Sequence, residues 1–472
     1  MEKVIENIKN IFEIPDLRNR IFFTFGILAL YRLGCQVLVP GVDSNEIANL
    51  FNVSGSGMLD MANTFSGGAL GNAAVFALGI MPYITASIIL QILQKTVPYL
   101  ERLSKEGEQG RNKINRYTRY LTVVFALLHA WGITTILISM DNNNNLITVE
   151  NTLFFRLIAM VTLTTGAILI MWLGEKITER GIGNGISLII FASIVVTVPG
   201  SVIDIWKQVQ SNVIPASVMA LVLAVIVGTI FFVVFFELGV RRITIQYAKR
   251  VGNEGQTAGG SSYLPFKINS AGVIPVIFSA SIVQLPSMLT QIPSIRTNPA
   301  VMGVLDHFLY GRPFSNVFFF VATMFFTFFY VEMLFNPKDT AENLKKQGGF
   351  IPGIRPGQET QDYIERVLNR LTFWGGLYLS LVSIIPSLIM SGLQLQSLPV
   401  WLGGELFQNL PAILNQGTQV MLASALGGTS LLIIISVGLD FVNQVDNQLV
   451  MRKYDGFTSD AGKSKVRTRR YA

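Results

Sequence analysis

The sequence has 472 residues, of which 50% are hydrophobic and only 14% are charged, with a formal net charge of +7. Its mean hydropathy of +0.49 and its repeated apolar runs of about 20 residues are typical of an all-α polytopic membrane protein. A single cysteine, Cys35, excludes a disulfide framework within the chain and a multi-cysteine metal site. Residues 1–20 are charged and amphipathic without a convincing cleavage site, so we expect a helix at the membrane surface rather than a signal peptide.

Ten apolar runs predict ten membrane-spanning helices, and an even number places both ends of the chain on the same side. Lys and Arg decide which side, because they are enriched in cytosolic loops. Of the 36 Lys and Arg residues, 30 fall in the segments that lie on the side of the termini. Both termini are therefore predicted to be cytosolic. The predicted spans are 21–39, 73–94, 118–139, 153–174, 186–203, 214–238, 271–292, 313–335, 372–391 and 424–445.

The stretch 57–94 is almost free of charge and is too long for one span. As one straight helix its 38 residues would reach about 57 Å, against a hydrocarbon core of about 30 Å. Gly67, Gly68 and Gly71 supply a break, so we predict a re-entrant segment at 58–71 ahead of the second span. Non-helical backbone at membrane depth persists only inside protein or beside a watery cavity, which favours a channel or transporter. The alternative is an outside loop leading into an ordinary span.

The ten spans divide into an N-terminal half, 21–206, and a C-terminal half, 207–445, followed by a basic tail, 446–472. Because each half has five spans, the two halves are predicted to be inverted in the membrane. The second span of each half carries the pattern GxxPxI, at 79–84 and at 272–277. Matching Gly/Pro-interrupted spans in inverted halves point to the functional site of a transport protein. Gly and Pro are also common in membrane helices, so chance is the alternative.

The sequence offers little for catalysis or for ion coupling. The acidic residues Glu237, Glu332 and Asp440 lie at predicted cytosolic ends of spans, where water reaches them. Arg32 and Arg156 lie deeper, and they either solvate a pore or snorkel and pack between helices. The two histidines lack the spacing of a metal site, and no GxSxG, HExxH or Walker-type loop is present. We therefore expect no catalytic residue, no metal and no cofactor.

Two predicted cytosolic segments, 239–270 and 336–371, are long enough to project well beyond the membrane. Each is basic, and Arg355 stands between two prolines in PGIRPG, which stiffen the chain around it. Arginines presented in this way suit RNA phosphates or acidic protein surfaces. The alternative is the ordinary enrichment of cations on the cytosolic side of a membrane protein.

One apolar region, 392–423, is not counted among the spans. Its run LPVWLGGELFQNLPAIL is apolar enough to suggest an eleventh span. An eleventh span would move the tail sequence KSKVRTRR to the outside, against the distribution of the other cations. We therefore predict an outside, partly interfacial loop, to which the sequence assigns no function.

Long motifs follow one another in order from the first span to the last. They are FSGGAL at 65–70, ALGIMPYI at 77–84, MWLGEKITERGIGNGIS at 171–187, RRI with YAKR at 241–250, FNPKDTAENLKKQGGFIPGIRPG at 335–357 and GGTSLLI at 427–433. In these motifs the chain resembles the bacterial SecY family of translocon channel subunits. The resemblance implies an hourglass channel in the bacterial inner membrane, built from two five-helix halves, with segment 58–71 as a plug. It also implies the partners SecE, SecG, the SecA motor, the ribosome, signal sequences, nascent chains and membrane lipids.

The resemblance also implies roles for particular residues. An apolar ring forms the waist of the channel, and such a ring seals around a moving chain without binding it. The plug glycines Gly67, Gly68 and Gly71 become hinges, and spans 2 and 7 become a lateral gate towards lipid. The implied ring is Ile80, Ile84, Ile186, Ile190, Ile277 and Ile433; the gate is Pro82, Thr85, Gln91, Asn269 and Pro275; and the ribosome and motor docking residues are Arg241, Arg242, Lys249, Arg250 and Arg355.

A small-solute secondary transporter and an intramembrane enzyme are the alternative functions. The transporter requires an essential charge near the membrane midplane, and the sequence has no obvious buried acid. The enzyme requires a nucleophile with its base, or a metal set, on facing spans, and no convincing set is present. We therefore predict the central pore-forming subunit of a protein-conducting channel, which passes unfolded secretory proteins and releases transmembrane segments sideways into lipid.

Overall fold

The structure is a computed structural model that describes part of the chain, in two compact units. Unit 1 comprises Met1–Thr197 and Val437–Ala472, and unit 2 comprises Val198–Ser436. Residues 1–13, the start of the predicted plug at 58–62, Lys249 and the predicted loop 392–423 lie outside the described residues. The described residues are 14–43, 63–141, 147, 151–211, 216–247, 250–251, 257–258, 261–289, 299–307, 313–391 and 428–467.

The described chain is mainly helical, with a few short strands in unit 2. The helices of eight residues or more are α1 (Pro15–Gly34), α2 (Met81–Thr96), α3 (Pro98–Lys105), α4 (Glu108–Asp141), α5 (Thr152–Arg180), α6 (Gly185–Gln210), α7 (Ala216–Leu238), α8 (Ile274–Leu289), α9 (Pro299–His307), α10 (Pro313–Leu334), α11 (Pro337–Lys346), α12 (Gln358–Ser391) and α13 (Gly428–Arg467). The strands are β1 (Val240–Tyr247), β2 (Arg250–Val251), β3 (Thr257–Ala258), β4 (Ser261–Lys267) and β5 (Gly349–Phe350).

A helix lies over each of the ten predicted spans, although several boundaries were predicted wrongly. Five helices among the described residues are long and apolar enough to cross a membrane; the other crossings stay a prediction. The first helix is α1, displaced towards the N-terminus from the predicted 21–39, and α2 begins at Met81 rather than at residue 73. Helices α4, α12 and α13 extend beyond the predicted spans. The polar first turns of α4 and α12 each bury an apolar residue, Ile114 and Ile364, which a hydropathy pattern does not detect.

The helices carry apolar residues on their exposed faces. On α5, Leu153, Leu157 and Val161 are at least 63% exposed, and their spacing places them along one side of the helix. On α10, Val317 and Val321 are 61% and 57% exposed in the same way. A protein in water buries such stripes, whereas lipid tails cover them in a bilayer. These faces support a multi-pass membrane protein.

Residues 63–80 run as largely irregular backbone through the interior of unit 1. Their small and apolar side chains, including Leu70 and Ala77, are buried against α4 and α5. The backbone reaches α5 so closely that a Cβ atom added at Gly166 would lie 2.0 Å from the carbonyl oxygen of Val75. The backbone thus lies within protein, one of the two settings in which such backbone persists at membrane depth.

The prediction of an all-α protein was wrong in the two predicted cytosolic segments, which fold together. Strand β1 lies at the centre of the sheet β4-β1-β5, so that the second segment adds its strand β5 to the hairpin of the first. Alternate residues of β1, Ile243 and Ile245, point into a core shared with Leu344 of α11 and with Ile364 and Leu368 of α12. The two segments therefore form one folded domain of unit 2, which we call the cytosolic domain after its predicted location.

Replacing Ile364 with Ala is expected to loosen this domain. Ile364 is 0% exposed in the shared core, and truncating a buried Ile to Ala costs about 2–5 kcal/mol. We expect faster hydrogen exchange of the β1 amides, measured by mass spectrometry. Val240→Ala is the control, because Val240 is 44% exposed. Unchanged exchange in the Ile364 variant would mean that this core does not hold the sheet.

Candidate functional site

The repeated GxxPxI pattern has the same backbone conformation in both copies. Gly79 has a φ of +55° and Gly272 a φ of +63°, a left-handed conformation that glycine adopts at little cost. Helices α2 and α8 begin two residues later, so Pro82 and Pro275 fall in the first turn, where a missing N–H breaks no helical hydrogen bond. In each copy the glycine ends the irregular chain and the proline starts a helix. The repeat is therefore present in the backbone structure as well as in the sequence.

The six predicted ring isoleucines lie at corresponding places on their helices. Ile80 is the N-cap residue of α2, and the others lie in the first two turns of α2, α6, α8 and α13. Ile186 is half-buried, and the other five are at most 5% exposed. Four belong to unit 1, and Ile277 and Ile433 belong to unit 2. That the six converge on one ring stays a prediction.

Two of the three predicted plug glycines have a left-handed backbone conformation. Gly67 and Gly68 have φ values of +70° and +84°. Gly71 has no positive φ; instead its N–H donates to Oδ1 of Asn63 at 2.7 Å, and an added Cβ would lie 2.9 Å from Nδ2 of that side chain. A substituted residue would be strained at Gly67 and Gly68, and sterically crowded at Gly71.

Side chains of α1 and α6 hold the described part of the predicted plug segment in place. Nη1 of Arg32 donates a hydrogen bond to the carbonyl oxygen of Gly67 at 2.7 Å. The hydroxyl of Tyr31 donates to the carbonyl oxygen of Ser66 at 3.1 Å and lies 2.7 Å from Oγ of Ser193. The sequence left open whether Arg32 solvates a pore or packs, and the structure places it on the plug backbone. The roles of Tyr31 and Ser193 were missed; the available signal was a deep arginine without an acidic partner.

Two predicted gate residues of α2, Thr85 and Gln91, donate hydrogen bonds within their own helix. Oγ1 of Thr85 donates to the carbonyl of Met81 at 3.1 Å, and Nε2 of Gln91 donates to Oγ of Ser87 at 3.0 Å. The side-chain oxygen of Gln91 is buried and has no hydrogen-bond partner among the described residues. Pro82 is also buried.

On the unit 2 side of the predicted gate, Asn269 fixes the turn that precedes α8. Its Nδ2 donates to Oε1 of Glu237 at 2.7 Å and to the carbonyl of Gly272 at 3.2 Å. It is 3% exposed, and its Oδ1 lacks a partner within the described chain. Pro275 is buried in the first turn of α8. These contacts hold the left-handed turn at Gly272 against the end of α7.

The predicted docking arginines lie on the cytosolic domain. Arg241 and Arg242 are exposed on β1, and the guanidinium of Arg242 lies 4.9 Å from the ring centroid of Tyr263 on β4. Arg250 contributes its backbone to β2. Arg355 is exposed in the turn before α12, where its N–H donates to Oε2 of Glu359 at 3.3 Å. Tyr263 was missed, because its contact with Arg242 depends on the strand register.

A family model described as SecY matches residues 74–442, more than half of the chain. The chain belongs to the SecY family. It is 41% identical over 455 residues to the protein translocase subunit SecY of Streptomyces griseus, covering 94% of this chain and 98% of that relative. The SecY relative from Vibrio cholerae is 41% identical over 452 residues, with 95% of both chains covered.

Solved structures share the SecY fold. One of a SecY protein, whose plug domain is described as stabilising the closed state of the translocation channel and maintaining a membrane seal, has a TM-score of 0.60 at 17% identity over 91% of both chains. Sec61 in a canine ribosome–channel complex has a TM-score of 0.57 at 16% identity, also over 91% of both chains. The comparisons confirm the predicted family and the predicted class of protein, a translocase channel subunit rather than an enzyme.

Proposed function

We propose that this SecY chain is the central pore-forming subunit of a protein-conducting channel in the bacterial cell membrane. The observation that carries the proposal is the irregular segment 63–80, which lies inside unit 1 and contains left-handed glycines at Gly67 and Gly68. Non-helical backbone at membrane depth is tolerated only where it is buried in protein or lines a watery cavity, which supports a channel. The chain crosses the membrane ten times in two inverted halves, with both termini in the cytosol, as the cation distribution supports.

Unfolded secretory proteins pass through the isoleucine ring, and the predicted plug, 58–71, closes the channel at rest. Transmembrane segments leave sideways between α2 and α8, the two helices that begin with the GxxPxI turn. Each Leu or Ile that enters lipid lowers the free energy by roughly 0.3–0.6 kcal/mol. The channel therefore has only to give such segments access to lipid, and no energy input is required at this step.

The cytosolic domain of unit 2 docks the SecA motor and the ribosome. Exposed arginines on a stiff sheet and in a tight turn suit acidic protein and RNA phosphate surfaces. Binding of Sec61 to the ribosome in a solved complex supports this role for the same fold. SecE and SecG are the small membrane partners, and the exposed apolar helix faces offer them and lipid a surface.

A disulfide crosslink tests the route of the translocating chain. In a Cys35→Ser background, single cysteines are placed at Ile84 or Ile277, and a stalled precursor with its own cysteine is supplied. We expect crosslinks at both positions, because both belong to the proposed ring, and none with a precursor that lacks its signal sequence.

Leu157→Cys is the matched control, because Leu157 is 63% exposed on the outer face of α5. It is expected to give no crosslink. If an active preparation gave no crosslink at Ile84 or at Ile277, the pore assignment would fail, and uptake of small solutes would be measured instead.

A further inference from the structure

Arg32 is a cation within a predicted span that binds a backbone carbonyl. It lies half-buried in the last turn of α1, and within the described residues it forms no ion pair. Its Nη1 lies 2.7 Å from the carbonyl oxygen of Gly67. Charged side chains at membrane depth are costly and therefore mark functional positions. In the structure, the interaction that the Arg32 guanidinium makes is its hydrogen bond to the plug backbone.

The carbonyl of Gly67 depends on this contact. Gly67 is buried, and within the described chain Arg32 is the donor that satisfies its oxygen. A buried carbonyl that loses its donor pays the full desolvation penalty, which exceeds the net gain from an average hydrogen bond. Removing the guanidinium therefore destabilises this placement of the plug.

Tyr31 and Ser193 hold the neighbouring residue and close the arrangement against α6. The Tyr31 hydroxyl contacts both the carbonyl of Ser66 and Oγ of Ser193. At Gly67 an added Cβ would lie 3.1 Å from Cα of Ser193, so the plug backbone is pressed against α6 at this point. Two consecutive plug carbonyls are thus held by two consecutive residues of α1.

We propose that Tyr31, Arg32 and Ser193 form a latch that holds the plug closed and must release before the channel opens. The proposal rests on the proposed function of segment 58–71 as the plug, of which the structure describes residues 63–71. A contact made in the closed state and lost in the open state shifts the equilibrium between them by its own free energy. Because Arg32 faces a neutral carbonyl rather than a carboxylate, the latch involves no buried ion pair, and water in an open pore can replace it.

The test uses the intact SecY complex reconstituted in planar bilayers and in vesicles. We expect Arg32→Met and Tyr31→Phe to raise the resting ion conductance, for Arg32→Met by roughly tenfold or more. Arg32→Lys keeps a donor and is expected to restore part of the seal. Arg18→Met and Tyr120→Phe are the matched controls, since both residues are exposed.

The native cysteine reports the position of the plug independently of conductance. Cys35 is 0% exposed, and its thiol lies 3.9 Å from the carbonyl of Ser66, under the plug. In the latch variants we expect faster labelling of Cys35 by a water-soluble maleimide, with unchanged labelling in the controls.

Deleting residues 63–71 distinguishes a failure of the proposed plug function from a failure of the proposed latch. If the deletion leaves the resting conductance unchanged, the plug function itself fails. If the deletion raises conductance while Arg32→Met and Tyr31→Phe keep wild-type conductance and Cys35 labelling, the latch is overturned. Equal leakage through Arg18→Met and Arg32→Met would also overturn the latch, because it would reflect general destabilisation.

Discussion

Replacing Gly166 with Ala is expected to destabilise unit 1 and to displace the plug segment. The added methyl group would lie 2.0 Å from the carbonyl oxygen of Val75 and 2.9 Å from its carbonyl carbon. Both are backbone atoms, which cannot rotate away as a side-chain tip can, so either α5 or the segment must move. Overpacking of this kind typically costs about 1–3 kcal/mol. Thermal unfolding of the purified complex measures the loss, and Cys35 labelling reports the displacement.

Gly132→Ala is the matched control for this substitution. Gly132 lies inside α4, and an added Cβ there meets nothing within 4 Å. Alanine is favoured over glycine in a helix interior by about 1 kcal/mol, so this variant is expected to be neutral or more stable. Similar losses of stability in the two variants would contradict the close approach of the segment to α5.

Reversing the charge of Arg242 and Arg355 together is expected to reduce SecA or ribosome binding by roughly tenfold or more, because like charges across an interface cost several kcal/mol. Both side chains are exposed on the cytosolic domain, one on β1 and one in the turn before α12. The wild-type affinity is expected to fall with added salt, and the affinity of the double variant to fall less. Co-sedimentation at two salt concentrations measures both effects.

Arg111→Glu controls for the change of net charge. Arg111 is exposed in the first turn of α4, in unit 1. Its reversal is expected to leave binding nearly unchanged, since it lies outside the proposed docking surface. If this single reversal weakened binding as much as the double variant, binding would depend on a general attraction to cations and not on the proposed site.

The sequence predicted the apolar helices well, because hydropathy is a local property of each segment. It did not predict where α12 begins, since its first turns are polar and are stabilised by the burial of Ile364 and Leu368. The pairing of β5 with β1 joins residues about a hundred positions apart, beyond any local pattern. The strand β1 itself could have been predicted from the sequence, because Ile243 and Ile245 alternate with polar residues.

The candidate site was likewise predictable only where local sequence patterns determine it. The glycine and proline pattern marked the two corresponding helices, because those residues restrict their own backbone, but the predicted starts at 73 and 271 were too early. The anchoring of the plug was not predictable, since it joins Tyr31, Ser66 and Ser193 across large distances in the chain. Arg32 was noticed as unusual, but its partner is a carbonyl group, which every residue carries.

Helix α12 connects the cytosolic domain to the predicted ninth span without a break. Its 34 residues span about 50 Å as one helix, from the core around Ile364 into the predicted ninth span. A continuous helix bends little, whereas a flexible linker at the membrane surface would absorb displacement. If a motor or a ribosome binds the docking arginines as proposed, we expect force applied at the sheet to tilt or rotate α12 and thereby to move the membrane helices of unit 2.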